Sequence, residues 1–125
     1  MTGQIVDAAM KVHSALGPGL LESAYEACLV HELRRREVFV VAQAPLPVIY
    51  EGVQLDVGYR VDLLVADAVV VELKAVETVL PIHKAQVISY LKLSGKAVAL
   101  LINFNVLHLK DGISRFANGD PSARV

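Results

Sequence analysis

The chain has 125 residues, 12 Lys and Arg against 13 Asp and Glu for a formal net charge of −1, and a hydrophobic fraction of 54%. That length fits one domain with a modest core, and an apolar fraction above the usual range of about 45–50% predicts that much of it is buried. The balanced charge argues against a domain that coats itself in nucleic acid, and apolar runs such as Ala97 to Ile102 fall far short of the roughly 18 residues a membrane span needs.

The start of the chain has no basic segment followed by an apolar one, and Asp7 arrives early, so no signal peptide is read and a cytoplasmic location is expected. Thr2 can cap a first helix whose apolar stripe is Ile5, Ala8, Ala9, Val12 and Leu16, ended by Gly17-Pro18. A second helix is predicted from about Leu20 to Arg36, with Leu21, Ala24, Cys28 and Leu29 toward the core. Glu22, Tyr25 or Glu26, and Leu29 share another of its faces. The single cysteine, Cys28, cannot form an internal disulfide and reads as a small core residue. Arg34-Arg35-Arg36 reads as the solvated end of that helix, with a local basic patch as the alternative.

From Val38 the period changes to that of strands. Val38 to Ala42 is the first, broken by Gln43-Ala44-Pro45; Leu46 to Tyr50 is the second; Glu51-Gly52 makes a turn; Leu55 to Val65 is the third. Ala68 to Val76 is the fourth, with Asp67 in the preceding turn. Pro81 suits the first turn of a helix running to about Ser94 and closed by Gly95. Ala97 to Phe104 is an apolar strand, and Val106 to Leu109 and Ile113 to Phe116 flank Lys110-Asp111-Gly112 as a hairpin. The end, Asn118 to Val125, is expected to fray. The chain shows no internal repeat or linker. It is expected to form one unit, an α/β (α+β) sandwich around a mixed sheet rather than a doubly wound fold.

Chemistry concentrates in Val69-Val70-Val71-Glu72-Leu73-Lys74-Ala75. Three valines read as a strand buried on both faces, and Glu72 and Lys74, two apart, then point to one side of the sheet. Asp62 interrupts the preceding apolar strand. If the intervening loop is the three residues Ala66-Asp67-Ala68, Asp62 lies opposite Glu72 with Cβ atoms about 4.5–5.5 Å apart. Two like charges so placed repel, and a divalent cation is the natural compensation. A two-residue loop would instead turn Glu72 to the other side. An internal salt bridge from Lys74 to Glu72 or Asp62 is the competing reading. Gln86 and Tyr90, four apart on the third helix, share a face and suit the orienting of water or a phosphate ester, although such a tyrosine can equally be half-buried core. Glu22, in the first turn of its helix, is either a further ligand or an ordinary helix-end charge. His13, His31, His83 and His108 show no shared ligand spacing, so a zinc site is not expected. His83, three residues before Gln86, is the one histidine near these groups.

Gly19-Leu20-Leu21-Glu22-Ser23-Ala24-Tyr25 resembles the motif that names the GxxExxY protein family. The resemblance continues through Gln43, Gly58-Tyr59-Arg60-Val61-Asp62, Val71 to Ala75, Gln86 to Tyr90, and Leu101-Ile102-Asn103-Phe104, from about Ile5 to Phe116. That family is grouped with the PD-(D/E)XK nuclease-like superfamily, whose restriction-endonuclease-like core is αβββαβ. The resemblance implies that core, with an extra N-terminal helix and a C-terminal β-hairpin. By the same resemblance Asp62 matches the first metal acid and Glu72 with Lys74 the E-x-K. Glu22 matches the acid of the first core helix, and Gln86 with Tyr90 the Q-x-x-x-Y of the RecB-like branch. Val61 stands where the motif often has proline. The implied activity is a nuclease using Mg²⁺ or Mn²⁺, held by Asp62, Glu72, the Leu73 carbonyl and Glu22, with Lys74 at the attacking water. The alternative is a module that keeps the nuclease fold for nucleic-acid or protein binding without turnover. The apolar excess leaves room for a homodimer.

Overall fold

The computed structural model describes residues 1–119, in the order α1 (Thr2–Leu16), α2 (Glu22–Arg35), β1 (Val40–Pro45), β2 (Val48–Tyr50), β3 (Val53–Leu55), β4 (Arg60–Val65), β5 (Val69–Lys74), α3 (Pro81–Ser94), β6 (Val98–Asn103), a 3₁₀ turn (Leu109–Gly112) and β7 (Ile113–Ala117). The expected frayed end therefore falls, from Asp120 onward, outside the described residues.

The Val69-Val70-Val71 run opens β5, the middle strand of a five-stranded sheet ordered β1-β4-β5-β6-β7, and all its residues but Lys74 are buried. β-Branched side chains suit such a doubly covered strand. The β5–β6 pair is parallel, and the other neighbours are antiparallel. α3 crosses between the parallel strands, as a parallel pair requires. α1 and α2 cover one side of the sheet, packing Ile5, Tyr25, Leu29 and Leu33 on Leu63, Val71, Leu73, Ile102 and Phe104. α3 covers the other with Val87, Tyr90 and Leu91 on Val70, Ala99 and Leu101. The mixed, helix-flanked sheet and the αβββαβ order are those expected, with α2, β1, β4, β5, α3 and β6 as the core.

Several details differ. The helical face of α2 that enters the core is Tyr25, Leu29, Glu32 and Leu33, an i, i+4, i+7, i+8 stripe. Leu21 precedes the helix and is 77% exposed, and Cys28 is exposed rather than core. Tyr25 wins the inward place because its ring stacks on Phe104 at 4.5 Å while its hydroxyl donates to the Gly17 carbonyl at 2.6 Å. Thr2 is the first helical residue of α1, and no side chain caps that end.

The second predicted strand shortens to β2 and leaves the main sheet. It pairs only with β3 across the Glu51-Gly52 turn, whose two residues both have positive φ, and this ribbon is an excursion between β1 and β4. Val106 to Leu109 is no strand. Leu109 is buried in the α1–α2 core, and Gly112 passes so close to β6 that a Cβ there would clash with the Asn103 carbonyl oxygen. The chain turns back at once, and β7 pairs with β6 itself.

Arg34-Arg35-Arg36 is no free basic patch. Arg35 and Arg36 bind the Glu32 carboxylate at 2.9 and 3.1 Å, and Arg34 donates to the Val40 carbonyl. Among the described residues no helix is long and apolar enough to cross a membrane.

Candidate functional site

β4 pairs with β5 through Leu63 and Val71, Leu64 and Val70, Val65 and Val69, joined by the three-residue loop Ala66-Asp67-Ala68. Ala66 and Asp67 both take φ of 53°, and the Ala68 amide closes the turn on the Val65 carbonyl at 3.0 Å. This is the longer loop, so the register carries Asp62 opposite Glu72. The regular ladder stops just short of them. Beyond Leu63 the side chains take its place. The Leu73 amide donates to Asp62 Oδ2 at 2.8 Å, and the Asp62 amide donates to Glu72 Oε2 at 3.3 Å. Each carboxylate satisfies the opposite strand's backbone, which fixes both side chains where the strands part.

The parting has a local cause. Gln43 falls between the Ala42–Leu63 and Ala44–Val61 pairs, directly across from Asp62, with φ of 52°. On β1, Ala42 packs with the α1–α2 core but Ala44 with the α3 core; on β4, Leu63 goes to the first and Val61 to the second. Residues two apart on a regular strand share a face. The β1–β4 ribbon thus turns over at Gln43 and Asp62, and Asp62 emerges there, only partly covered.

Glu72 is 7% exposed. Burial foremost, and then the hydrogen bond and charge of Asp62, push its carboxyl up to about 9, against the opposing effects of the Asp62 amide and the Lys74 charge. Lys74 is half-buried, and among the described residues no ion pair within 4.0 Å joins it to Glu72 or Asp62. The internal salt bridge that competed with a ligand site does not form. The backbone around Lys74 is held from β6: its carbonyl accepts the Phe104 amide at 2.9 Å, and the buried Asn103 side chain accepts from the Val76 amide at 3.1 Å and donates to the Val76 carbonyl at 2.9 Å.

On α2 the acid hydrogen-bonded toward the strand carboxylates is Glu26. Gln43 Nε2 donates to Glu26 Oε1 at 2.7 Å and approaches Asp62 Oδ1 at 3.5 Å, linking Glu26 to the strand carboxylates. The Glu26 carboxyl is raised, mainly by burial, with the Gln43 bond opposing and the charges of Asp62 and Glu22 adding. Glu22, one turn earlier, is exposed and acts on Glu26 by charge. The signal for Glu26 was present in its shared helical face with Glu22, but the choice needed the position of Gln43.

α3 brings Gln86 and Tyr90 together, with Gln86 Nε2 donating to Tyr90 Oη at 2.9 Å. Burial and then the charge of Glu72 raise the Tyr90 phenol, with the Gln86 bond opposing and smaller contributions from Tyr59 and Asp62. His83 is occupied elsewhere, its Nδ1 accepting the Leu80 amide at 3.0 Å at the start of α3. Tyr59, given no individual role in the sequence reading, places its ring 6.0 Å from that of Tyr90 and is 49% exposed.

Among the described residues no group of three or more His, Cys, Asp or Glu is gathered as a ready metal cage. The donor set nonetheless fits a hard cation. Mg²⁺ commonly takes one or two carboxylates, keeps several waters and leaves positions for phosphate oxygen. Asp62 and Glu72 are such a pair, and the cost of Glu72 as a buried anion beside Asp62 is what a cation would relieve.

The family model of the PD-(D/E)XK nuclease superfamily matches residues 1–116. No curated protein and no solved structure matches the chain. The chain belongs to this superfamily, whose members generally use divalent metals.

Proposed function

We propose that this superfamily member is a Mg²⁺- or Mn²⁺-dependent nuclease that hydrolyses phosphodiester bonds of DNA or RNA, with residues 1–125 acting as one domain. The observation that carries the reading is Glu72, buried against Asp62 and given no ion pair by Lys74 among the described residues. Ionising Glu72 beside Asp62 is costly without a cation, and without one the fold holds Glu72 protonated.

Asp62, Glu72 and the Leu73 carbonyl would hold the cation, with Glu22 joining directly or through water and Glu26 steering Asp62 through Gln43. A bound cation would neutralise phosphate charge and lower the pKa of a water. Lys74, its carbonyl held by the Phe104 amide, would keep its ammonium near the attacking water and the charge that develops on the phosphate. The Tyr90 hydroxyl and the Gln86 amide would hold the phosphate ester in register with these groups.

The test is hydrolysis of labelled DNA and RNA with Mg²⁺ or Mn²⁺ by the wild type, Asp62→Ala and Lys74→Ala. Loss in both variants, with each still folded by circular dichroism, is expected. Equal activity in all three, or none in the wild type, overturns the reading.

A further inference from the structure

We infer that the site takes single-stranded polynucleotide, with Tyr59 as a platform on which an unpaired base stacks beside the carboxylates. This rests on the proposed nuclease reading, which it narrows to a substrate class.

The first observation is the position of an uncovered aromatic ring. Tyr59 is the last residue before β4, three before Asp62. Its backbone is pinned, its carbonyl accepting the Leu46 amide at 2.8 Å. Just before it, Gly58 takes φ of 80° and donates its amide to Asp56 Oδ1 at 3.1 Å. The ring tilts 48° to the ring of Tyr90 at 6.0 Å, and Tyr90 shares its α3 face with Gln86, which donates to its hydroxyl. Yet Tyr59 remains 49% exposed, whereas Tyr90 is 9% exposed. Tyr59 thus offers open aromatic surface beside Tyr90. Aromatic stacking binds bases of any sequence, but only bases already out of a duplex stack.

The second observation is the use of the cations. A duplex binder commonly neutralises some 6–10 phosphates. Of 12 Lys and Arg, Lys11, Arg35 and Arg36 converge on Glu32, and Lys96 binds Asp67. Arg34 and Arg60 donate to backbone carbonyls, Arg60 to that of Gln43 beside the site. Half the cations thus have partners within the fold, and Arg60, the one next to Tyr59, is exposed but holds its guanidinium on the Gln43 carbonyl. Stacking, which needs little positive charge, is the contact this surface supplies.

The chain contains no tryptophan, so Tyr59→Trp creates a lone indole reporter at the platform. Binding is read in Ca²⁺, to avoid turnover, with 12-mers of dT and rU and with a duplex of matched length. Saturation by either single strand is expected to quench the Tyr59→Trp emission, and the duplex to leave it unchanged. By fluorescence anisotropy, Tyr59→Ala should bind single strands about tenfold more weakly than wild type, and Tyr59→Phe within about twofold. Wild-type affinity in Tyr59→Ala, duplex binding tighter than single-strand binding, or no single-strand binding at all overturns the inference. Tyr59-dependent binding without hydrolysis in Mg²⁺ or Mn²⁺ would refute only the nuclease reading. Hydrolysis that is indifferent to Tyr59→Ala would refute only this one.

Discussion

Replacing Glu72 with Gln is expected to stabilise the metal-free protein while it abolishes cleavage. In the unfolded chain this carboxyl ionises near its ordinary 4.5, but in the fold burial and Asp62 hold it protonated up to about 9. A group raised in this way supports the fold fully below its unfolded value, and that support is lost as pH rises toward its folded one. Between those limits the wild type loses about 1.4 kcal/mol per pH unit through Glu72, or about 3 kcal/mol by pH 7. Gln imitates the protonated acid: its amide can donate toward Asp62, and its oxygen can accept the Asp62 amide as Glu72 Oε2 does. The variant should therefore match the wild type near pH 5 and exceed it by about 2–3 kcal/mol at pH 7, or roughly 8–12 °C in Tm. Thermal melts followed by circular dichroism in EDTA, at steps from pH 5 to 8.5, give the difference between the two proteins, from which other titrating groups cancel. A difference that does not grow with pH, or a wild type that is the more stable at pH 8, would refute the account of Glu72 as a buried, uncompensated acid.

Millimolar Mg²⁺ or Mn²⁺ should raise the Tm of the wild type, by about 1.4 kcal/mol of stability at tenfold excess over Kd, and leave Glu72→Gln unmoved; calorimetric melts with and without metal check this. The Glu32 carboxyl is held down to about 2, first by Arg35 and then by Arg36 and Lys11, so its contribution is complete above about pH 4.5 and disappears as pH falls toward 2. Glu32→Gln should accordingly flatten the acid limb of the stability profile, measured by urea melts from pH 6 to 2.5. Tyr25→Phe removes the hydroxyl that donates to Gly17 and accepts the Leu20 amide, and should cost about 1–3 kcal/mol in urea denaturation. Gly112→Ala must displace the β6 backbone at Asn103, and a loss of less than about 1 kcal/mol would contradict the close approach described there.

Much of the architecture was legible because it rests on local signals. Three valines in a row, the glycine after Ser94 and the proline before Ile82 mark β5 and α3 almost to the residue. The spacing of Asp62 and Glu72 sets them opposite each other if the loop has three residues, and the fold supplies that loop. Of the apolar stripe Leu21, Ala24, Cys28 and Leu29 on α2, Leu29 is core while Leu21 and Cys28 are exposed, and only the stacking of Tyr25 on Phe104 tells which face turns inward. The expected Val106–Leu109 strand failed for a similar reason: its apolar residues are real, but Leu109 serves the helical side of the core, and Gly112 must clear β6.

By itself the sequence determined which residue types each element presents: an acid on β4, an acid and a lysine sharing a face of β5, and an amide and a phenol four residues apart on α3. Periodicity is enough for that, since side-chain direction follows from the repeat of each element. Three matters waited for the tertiary structure. Gln43, in a left-handed conformation no pattern announces, turns the β1–β4 ribbon over at Asp62 and brings in Glu26. Lys74 could have neutralised Glu72, and only the folded distances show that it does not. Tyr59 is exposed, and its place beside Tyr90 brings together residues far apart along the chain. Backbone sign, charge pairing and exposure depend on neighbours distant in the sequence, so local pattern cannot encode them.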